Sequence, residues 1–368
     1  MSNATATAES AVSASSNRAQ FHSLTVAEIV PLCADAVAVT LSVPESVAAL
    51  YEFRAGQSVT VRRFVAGVEH RRSYSICAAV GEPLRIAVRE VADGQVSSWL
   101  VRQLRPGDRI EVLPPAGSFT PQVTQTGFHA LVVAGSGITP GLSIAGSLLA
   151  QSDSMVTMVY GNRRTDTVMF IDELADLKDR YPARFDLVHV LSREPRDAEL
   201  LTGRLDPDRL RRLLPLVTAV DQIDHWWLCG PYPMVTGARA VLTEFGVAAE
   251  RIHQELFYVD DVAPVLNEHR DPEPSGQTSD VTLVLDGRKS TVTLSREETV
   301  LDGAQRFRPD LPFACKGGVC GTCRARVTDG EVFMRRNFAL EDSEVRAGFV
   351  LTCQSRPVTA SVTVDFDA

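Results

Sequence analysis

The sequence predicts a three-part chain: a small antiparallel β-barrel, then a parallel sheet layered with helices, then a compact β domain built around cysteines. Three observations lead there. At 368 residues the chain exceeds the size at which one hydrophobic core keeps growing. Its apolar runs are short and closely spaced up to about Gln122, but alternate with helical stretches from Gly127 to about Phe257. Four of its 7 cysteines crowd into the stretch from Cys315 to Cys353.

Taken in order, Met1 to Gln20 is mostly Ala, Ser, Thr and Asn, without a basic start or an apolar run. It reads as a flexible tail rather than a secretory signal, which gives the expectation of a cytoplasmic protein. Residues 21–124 carry short strands at Thr25–Val30, Ala36–Ser42, Ser58–Val65, Arg72–Ala78, Leu84–Val91 and Arg109–Leu113. Residues 125–259 repeat strand and helix: Ala130–Ala134 then a helix from Pro140, Val156–Tyr160 then Met169–Arg180, Asp186–Leu191, and Trp226–Cys229 then Tyr232–Phe245. Residues 260–279 hold prolines, glycine and charges without periodicity and read as a linker. Residues 280–368 open with Val281–Leu285, an Asp286-Gly287 turn and Thr291–Leu294, the pattern of a hairpin.

With 46 Asp and Glu against 37 Lys and Arg the formal charge is −9, and no basic run concentrates positive charge. Nucleic-acid binding and polybasic membrane binding are therefore not expected. Between Val112 and Ser152 no charged residue occurs, and Leu131–Ala150 has the length of a membrane span. Its centre, Gly135-Ser136-Gly137-Ile138-Thr139-Pro140-Gly141, breaks a continuous helix and predicts strand, tight turn and helix instead.

Cys315, Cys320, Cys323 and Cys353 are spaced C-x4-C-x2-C with a distant fourth, the plant-type spacing for a 2Fe-2S cluster. Gly317, Gly318, Gly321 and Thr322 between them permit a tight loop whose N–H groups approach sulfur. A four-thiolate zinc site is the competing reading, but zinc sites favour two short paired knuckles and Cys353 stands alone. Cys33 and Cys77 lie in apolar strands and read as buried, inert thiols.

Arg72-Ser73-Tyr74-Ser75 puts a cation and an aromatic ring on one face of a strand, suited to a phosphate and a flat heterocycle. Gly94-Gln95-Val96-Ser97-Ser98 adds hydroxyls at a helix start. A barrel-wall aromatic is the plain alternative for Tyr74. Gly135, Gly137, Thr139 and Pro140 follow an apolar strand and open a helix, the setting in which a glycine turn holds pyrophosphate, although the full G-x-G-x-x-G is absent. Arg163 and Arg164, with Ser192 and Arg193, close two later strands at the end where such sheets bind ligands. Their guanidinium groups suit the 2′-phosphate of NADPH; solvated charges are the alternative. Cys229-Gly230-Pro231 ends another strand, with Cys229 facing a nicotinamide or simply packed.

Together these residues resemble the ferredoxin-NADP reductase superfamily, in the branch with a C-terminal plant-type ferredoxin domain, over roughly Phe21 to Ala368. The resemblance implies an antiparallel β-barrel FAD domain, an α/β parallel-sheet NADP domain and a C-terminal β-grasp 2Fe-2S domain. It makes Arg72 a flavin phosphate ligand, Tyr74 a ring-stacking partner and Ser75 the partner of the hydride-accepting nitrogen. Val88 and Arg89, with Gly94, Val96, Ser97 and Ser98, look like the rest of the flavin site. Cys229, Gly230 and Pro231 resemble a nicotinamide turn, and Glu255 and Phe257 a Glu-x-aromatic segment near the flavin. Ser75, Cys229 and Glu255 are the implied catalytic residues. The implied activity passes electrons from NADPH through FAD and the cluster to oxygenase subunits of a multicomponent complex. Reductases of an aromatic-ring epoxidase, of ketosteroid hydroxylases and of Rieske oxygenases share this plan. A non-catalytic subunit would not need all three motif sets intact. The 7 histidines are scattered and no oxygen-activating site is visible, so substrate oxidation belongs to the partner. Docking is expected beside the cluster loop, Lys316 to Thr322, with Arg324, Arg326, Arg335 and Arg336 as a local basic patch.

Overall fold

The computed structural model describes residues 20–257 and 276–368. The predicted tail up to residue 19 and the linker up to residue 275 lie outside them. The last two linker residues, Thr278 and Ser279, belong instead to a strand.

The first module is a six-stranded antiparallel sheet: β1 (His22–Cys33), β2 (Ala36–Ser42), β3 (Ser58–Val65), β4 (Val68–Ser75), β5 (Arg85–Arg89) and β6 (Arg109–Val112). Its order is β4-β3-β6-β1-β2-β5, and an Ile76–Ile86 bridge joins the edges, so the sheet closes on itself. Inward side chains such as Leu24, Val39, Val61, Ile86 and Ile110 fill the barrel. One prediction needs correcting. The fourth strand runs over Val68–Ser75 rather than Arg72–Ala78. Ala66 and Gly67 both take positive φ, 49° and 82°, making a two-residue hairpin turn that fixes the register Val59 opposite Tyr74.

The second module is a five-stranded, fully parallel sheet of β7 (Phe128–Ala134), β8 (Met155–Asn162), β9 (Phe185–Leu191), β10 (His225–Cys229) and β11 (Ile252–Glu255). Its order, β11-β10-β7-β8-β9, reverses direction between β7 and β10. That switch point is where open α/β sheets leave a crevice for ligands. Helices Ile138–Gln151 and Ile171–Arg180 pack on one face, where Leu131, Val133 and Trp227 also meet Ala38, Cys77 and Phe119 of the barrel in one core. Helices Pro207–Val217 and Tyr232–Glu244 cover the other face. Leu131–Ala150 is thus strand, turn and helix, and no helix among the described residues is long and apolar enough to cross a membrane.

The third module holds β12 (Thr278–Leu285), β13 (Arg288–Ser295), β14 (Arg324–Asp329), β16 (Phe349–Leu351) and β18 (Ser361–Asp365) in the order β13-β12-β18-β14-β16. A small pair, β15 (Val332–Met334) and β17 (Ser355–Pro357), stands apart. The β12–β18 pairing is parallel and the other three pairings antiparallel, with helix Val300–Gln305 supplying Val300, Leu301 and Ala304 to the core. This is the β-grasp arrangement. Asp286 and Gly287 take φ 54° and 69° in the first hairpin, and their N–H groups are held by the Asp367 carboxylate at 2.8 Å.

Candidate functional site

The three modules meet at β4. Ser75, at its end, is buried, and its hydroxyl donates to Glu255 Oε2 at 3.0 Å, joining barrel to parallel sheet. Glu255 in turn sits beside Cys229 in the parallel register of β10 and β11. The three residues expected to be catalytic are therefore gathered at one point. Burial pushes the Glu255 carboxyl up to about 7, partly offset by the Ser75 hydrogen bond. Cys229 is fully buried, and burial followed by the Glu255 charge drives its thiol well up. A nucleophilic thiolate is accordingly not available there.

On the other face of β4, Arg72 is exposed and has no carboxylate partner among the described residues, its guanidinium donating only to the Arg71 carbonyl at 2.7 Å. Tyr74, on the same face, rests half-buried against the barrel core. A free guanidinium beside an accessible ring fits a phosphate-bearing flavin. The surrounding residues divide. Ser97 is buried with its hydroxyl accepting from the Val91 N–H at 3.1 Å, and a Cβ on Gly94 would lie 2.4 Å from that same oxygen. Ser98 stays half-buried, beside Glu90. Val88 and Val96 point into the barrel core, which leaves them only backbone groups to offer a cofactor.

At the switch point a cleft of about 850 Å³ opens. Gly135 (φ 56°) and Gly230 lie on its two sides, followed by Pro231 and flanked by Arg89, Arg163, Ser192 and Arg193. Phe257 closes one wall at 38% exposure. Gly137 is what lets the two turns touch, because a Cβ there would lie 2.2 Å from the Cys229 carbonyl oxygen. Thr139 and Pro140 are buried in the turn instead of facing the cleft, and the Thr139 hydroxyl donates to Ser136 O at 2.9 Å. Arg164 turns away to pair with Asp166 at 3.2 Å. Sequence reasoning missed Arg204, which lines the cleft after Gly203 (φ 124°). With Arg163 and Arg193 it gives the cleft three guanidinium groups that have no carboxylate partner among the described residues, while Arg89 is paired with Asp35 at 3.3 Å and Asp206 caps a helix by accepting from Arg209 N–H. That charge suits a dinucleotide's phosphates.

In the third module the four cysteines approach in pairs. Cys315 N–H donates to Cys320 Sγ at 3.5 Å and Gly317 N–H to Cys315 Sγ at 3.3 Å, while Gln354 Nε2 donates to Cys353 Sγ at 3.5 Å. The bond from Cys320 first, then loop N–H groups, pulls the Cys315 thiol down; Cys353 is lowered chiefly by the bond from Cys323. Among the described residues no three His, Cys, Asp or Glu side chains are set around a single ion. Two sulfur pairs lined with N–H donors fit two irons with two thiolates each. The cluster loop also touches β4, where Ser73 Oγ lies 3.3 Å from Thr322 Oγ1.

The comparisons agree with this geometry. Residues 23–120 match the oxidoreductase FAD-binding domain, 131–240 the oxidoreductase NAD-binding domain and 283–358 the 2Fe-2S iron-sulfur cluster binding domain. The chain is 40% identical over 354 residues to one of the subunits of the 1,2-phenylacetyl-CoA epoxidase of Escherichia coli (strain K12), covering 95% of this chain and 98% of that protein. It is 32% identical to the ferredoxin reductase component of 3-ketosteroid-9-alpha-monooxygenase from Rhodococcus rhodochrous, covering 93% and 96%. Phthalate dioxygenase reductase shares the fold, with a TM-score of 0.56 at 24% identity over 94% of this chain and 98% of that one.

Proposed function

The chain belongs to the family of FAD- and NAD-binding reductase components of oxygenase systems that carry a 2Fe-2S domain, and from that premise we propose that it draws on NADPH and serves a phenylacetyl-CoA epoxidase. The observation that carries the reading is the position of β4, which touches the nucleotide sheet through Ser75–Glu255 and the cluster loop through Ser73–Thr322. A flavin held by Arg72 and Tyr74 across the end of β4, where Ser75 closes the strand, then lies close to both donor and acceptor.

FAD, when bound, supplies the step from a two-electron hydride to single electrons, which neither nicotinamide nor cluster can make alone. The chain's own residues hold and orient. Gly135, Gly230 and Pro231 cradle the dinucleotide, and Arg163, Arg193 and Arg204 favour a 2′-phosphate. Phe257 covers the cleft wall. A hydroxyl donates once, so Ser75 cannot donate to Glu255 and to a flavin nitrogen together. With Glu255 protonated the bond reverses: Glu255 donates to Ser75 Oγ, and the Ser75 proton is free to face the flavin. A carboxyl near 7 switches between these states at working pH. Cys229 packs behind the pair and keeps water out.

The identity of 40% over nearly the whole of that epoxidase component supports that partner, and the 32% match to a ketosteroid monooxygenase reductase supports the second reading. The test mixes the protein with NADPH, phenylacetyl-CoA and the oxygenase components of the epoxidase. Epoxide formation is expected. Its absence, with a ketosteroid or Rieske oxygenase supported instead, transfers the assignment; failure to reduce cytochrome c with NADPH would point to a non-catalytic role.

A further inference from the structure

Strand alternation divides β4 into two faces. Arg72 and Tyr74 form the face proposed for the flavin. Arg71, Ser73 and Ser75 form the other, and each touches a different part of the chain. Arg71 is the most enclosed, with only 6% of its surface exposed. Its guanidinium lies 3.9 Å from the Phe313 ring centre on one side and 5.0 Å from that of Phe21 on another. Nε pairs with Glu69 at 3.0 Å, and Nη1 donates to the Leu311 carbonyl at 3.4 Å, across 240 residues of sequence.

Leu311 and Phe313 are the residues that lead into Cys315. Ser73, two positions along β4, meets Thr322 between Cys320 and Cys323. The same short strand therefore grips the cluster loop at both ends. Burying a guanidinium is costly, and an apolar side chain of similar volume would pack a plain interface at less expense. Arginine alone combines a flat face for the Phe313 ring with a donor long enough for the Leu311 carbonyl.

We propose that Arg71 is a positioning residue that clamps the cluster loop against the flavin strand, and so sets the rate at which electrons cross between them. The step served is the passage of one electron from hydride-reduced flavin to oxidised cluster, with no bond made or broken. The second electron follows once the partner has reoxidised the cluster. Tunnelling falls steeply with separation, so a loosened clamp slows this step and no other. The inference rests on the flavin and cluster assignments above.

The test uses full-length holoenzyme. Arg71→Met should leave NADPH reduction of the flavin and the cluster's paramagnetic resonance signal unchanged. It should slow flavin-to-cluster transfer in stopped flow by about tenfold or more, the factor a desolvated cation over an aromatic face is worth in a docking equilibrium. X-ray scattering of the oxidised protein should report a larger radius of gyration. Phe313→Leu, which removes the facing ring without touching the flavin strand, should reproduce the slowing if Arg71→Met folds poorly, and Phe313→Tyr should restore the normal rate. Unchanged transfer in Phe313→Leu and Arg71→Met overturns the proposal alone. An unmodified protein without an NADPH-reducible flavin or without a cluster would instead remove the reading beneath it, and the proposal with it.

Discussion

Ser75 Oγ donates to Glu255 Oε2 at 3.0 Å, a contact between residues 180 apart in sequence. It unites two modules that the chain builds separately, and it ties the end of β4 to the end of β11 in the parallel sheet. Burial holds the Glu255 carboxyl up at about 7, while the Ser75 bond acts in the opposite direction. The pair therefore responds to pH and to mutation in a way that can be read.

The first prediction concerns this pair. Flavin reduction by NADPH should show a break near pH 7 that Glu255→Gln abolishes. Ser75→Ala removes the bond that lowers the carboxyl, so the break should move upward, and hydride transfer should slow more than FAD retention weakens. Stability follows the same group. Its folded-state value is raised, so the native protein holds the proton more tightly and Glu255's contribution is fully present below about 4.5. It is then lost as pH rises through about 7. Thermal unfolding across that window should lose part of its pH dependence in Glu255→Gln, and an identical slope would sink the assignment.

The second prediction separates the cofactors. Cys320→Ser should remove the cluster yet leave the flavin reducible by NADPH, since none of the four cysteines belongs to the barrel core: Cys323 and Cys353 lie in the third module's core and Cys315 packs on that of the parallel sheet. Metal analysis of the unmodified protein should find two irons per FAD; stoichiometric zinc would overturn the cluster assignment.

Much of this architecture was legible beforehand because it rests on local signals. The barrel strands Ala36–Ser42 and Ser58–Val65 have the expected bounds, and the glycine turns sit at strand ends as their spacing required. The misses have physical causes. Val68 to Arg72 is too polar to read as strand, because the sequence does not disclose that Arg71 is buried by a ring from another module. Helix Pro207–Val217 hides in a charged run, although Asp206 caps it and Pro207 starts it. Strand β11 is four largely polar residues with no apolar run. Arg204 had no signal at all, because only the folding of the loop after β9 brings it to the cleft.

The third prediction distinguishes the arginines. Arg193→Ala and Arg204→Ala should each weaken NADPH binding while sparing NADH, by roughly ten- to a hundredfold for a charged hydrogen bond of about 1.5–3 kcal/mol. Arg164→Ala should change neither, because that side chain is spent on Asp166 outside the cleft. Equal losses for both nucleotides would make Arg193 and Arg204 structural.

The fourth prediction tests the contact between the two nucleotide turns. Gly137→Ala would place a methyl 2.2 Å from the Cys229 carbonyl oxygen, in backbone with little freedom to yield. It should cost about 1–3 kcal/mol of stability as overpacking. It should also raise KM for NADPH by spreading Gly135 from Gly230. Normal binding in a normally stable variant would contradict the close packing of these turns.

The last prediction concerns docking of the oxygenase, where the structure narrows the basic patch expected from the sequence. Arg324 is held by Glu344 at 2.9 Å and lies 3.5 Å from the Phe349 ring centre, so it braces the module itself. Arg326 donates to the Ala347 carbonyl, Arg336 has its Nε buried, and Lys316 is paired with Asp302 at 2.8 Å. Arg335 remains exposed with no carboxylate partner among the described residues, on the segment between β15 and Phe338, whose N–H donates to the Gly318 carbonyl at 3.1 Å. An acidic partner surface would therefore meet Arg335 first, and charge of this kind sets encounter rate more than final affinity. Arg335→Glu should lower the second-order rate of electron delivery to the oxygenase and flatten its dependence on salt, since screening would have less attraction left to remove. Internal reduction of the cluster by NADPH should stay normal. Arg324→Glu should instead destabilise the module, seen as earlier thermal loss of the cluster absorbance. If Arg335→Glu leaves both the rate and its salt dependence untouched, docking uses another face.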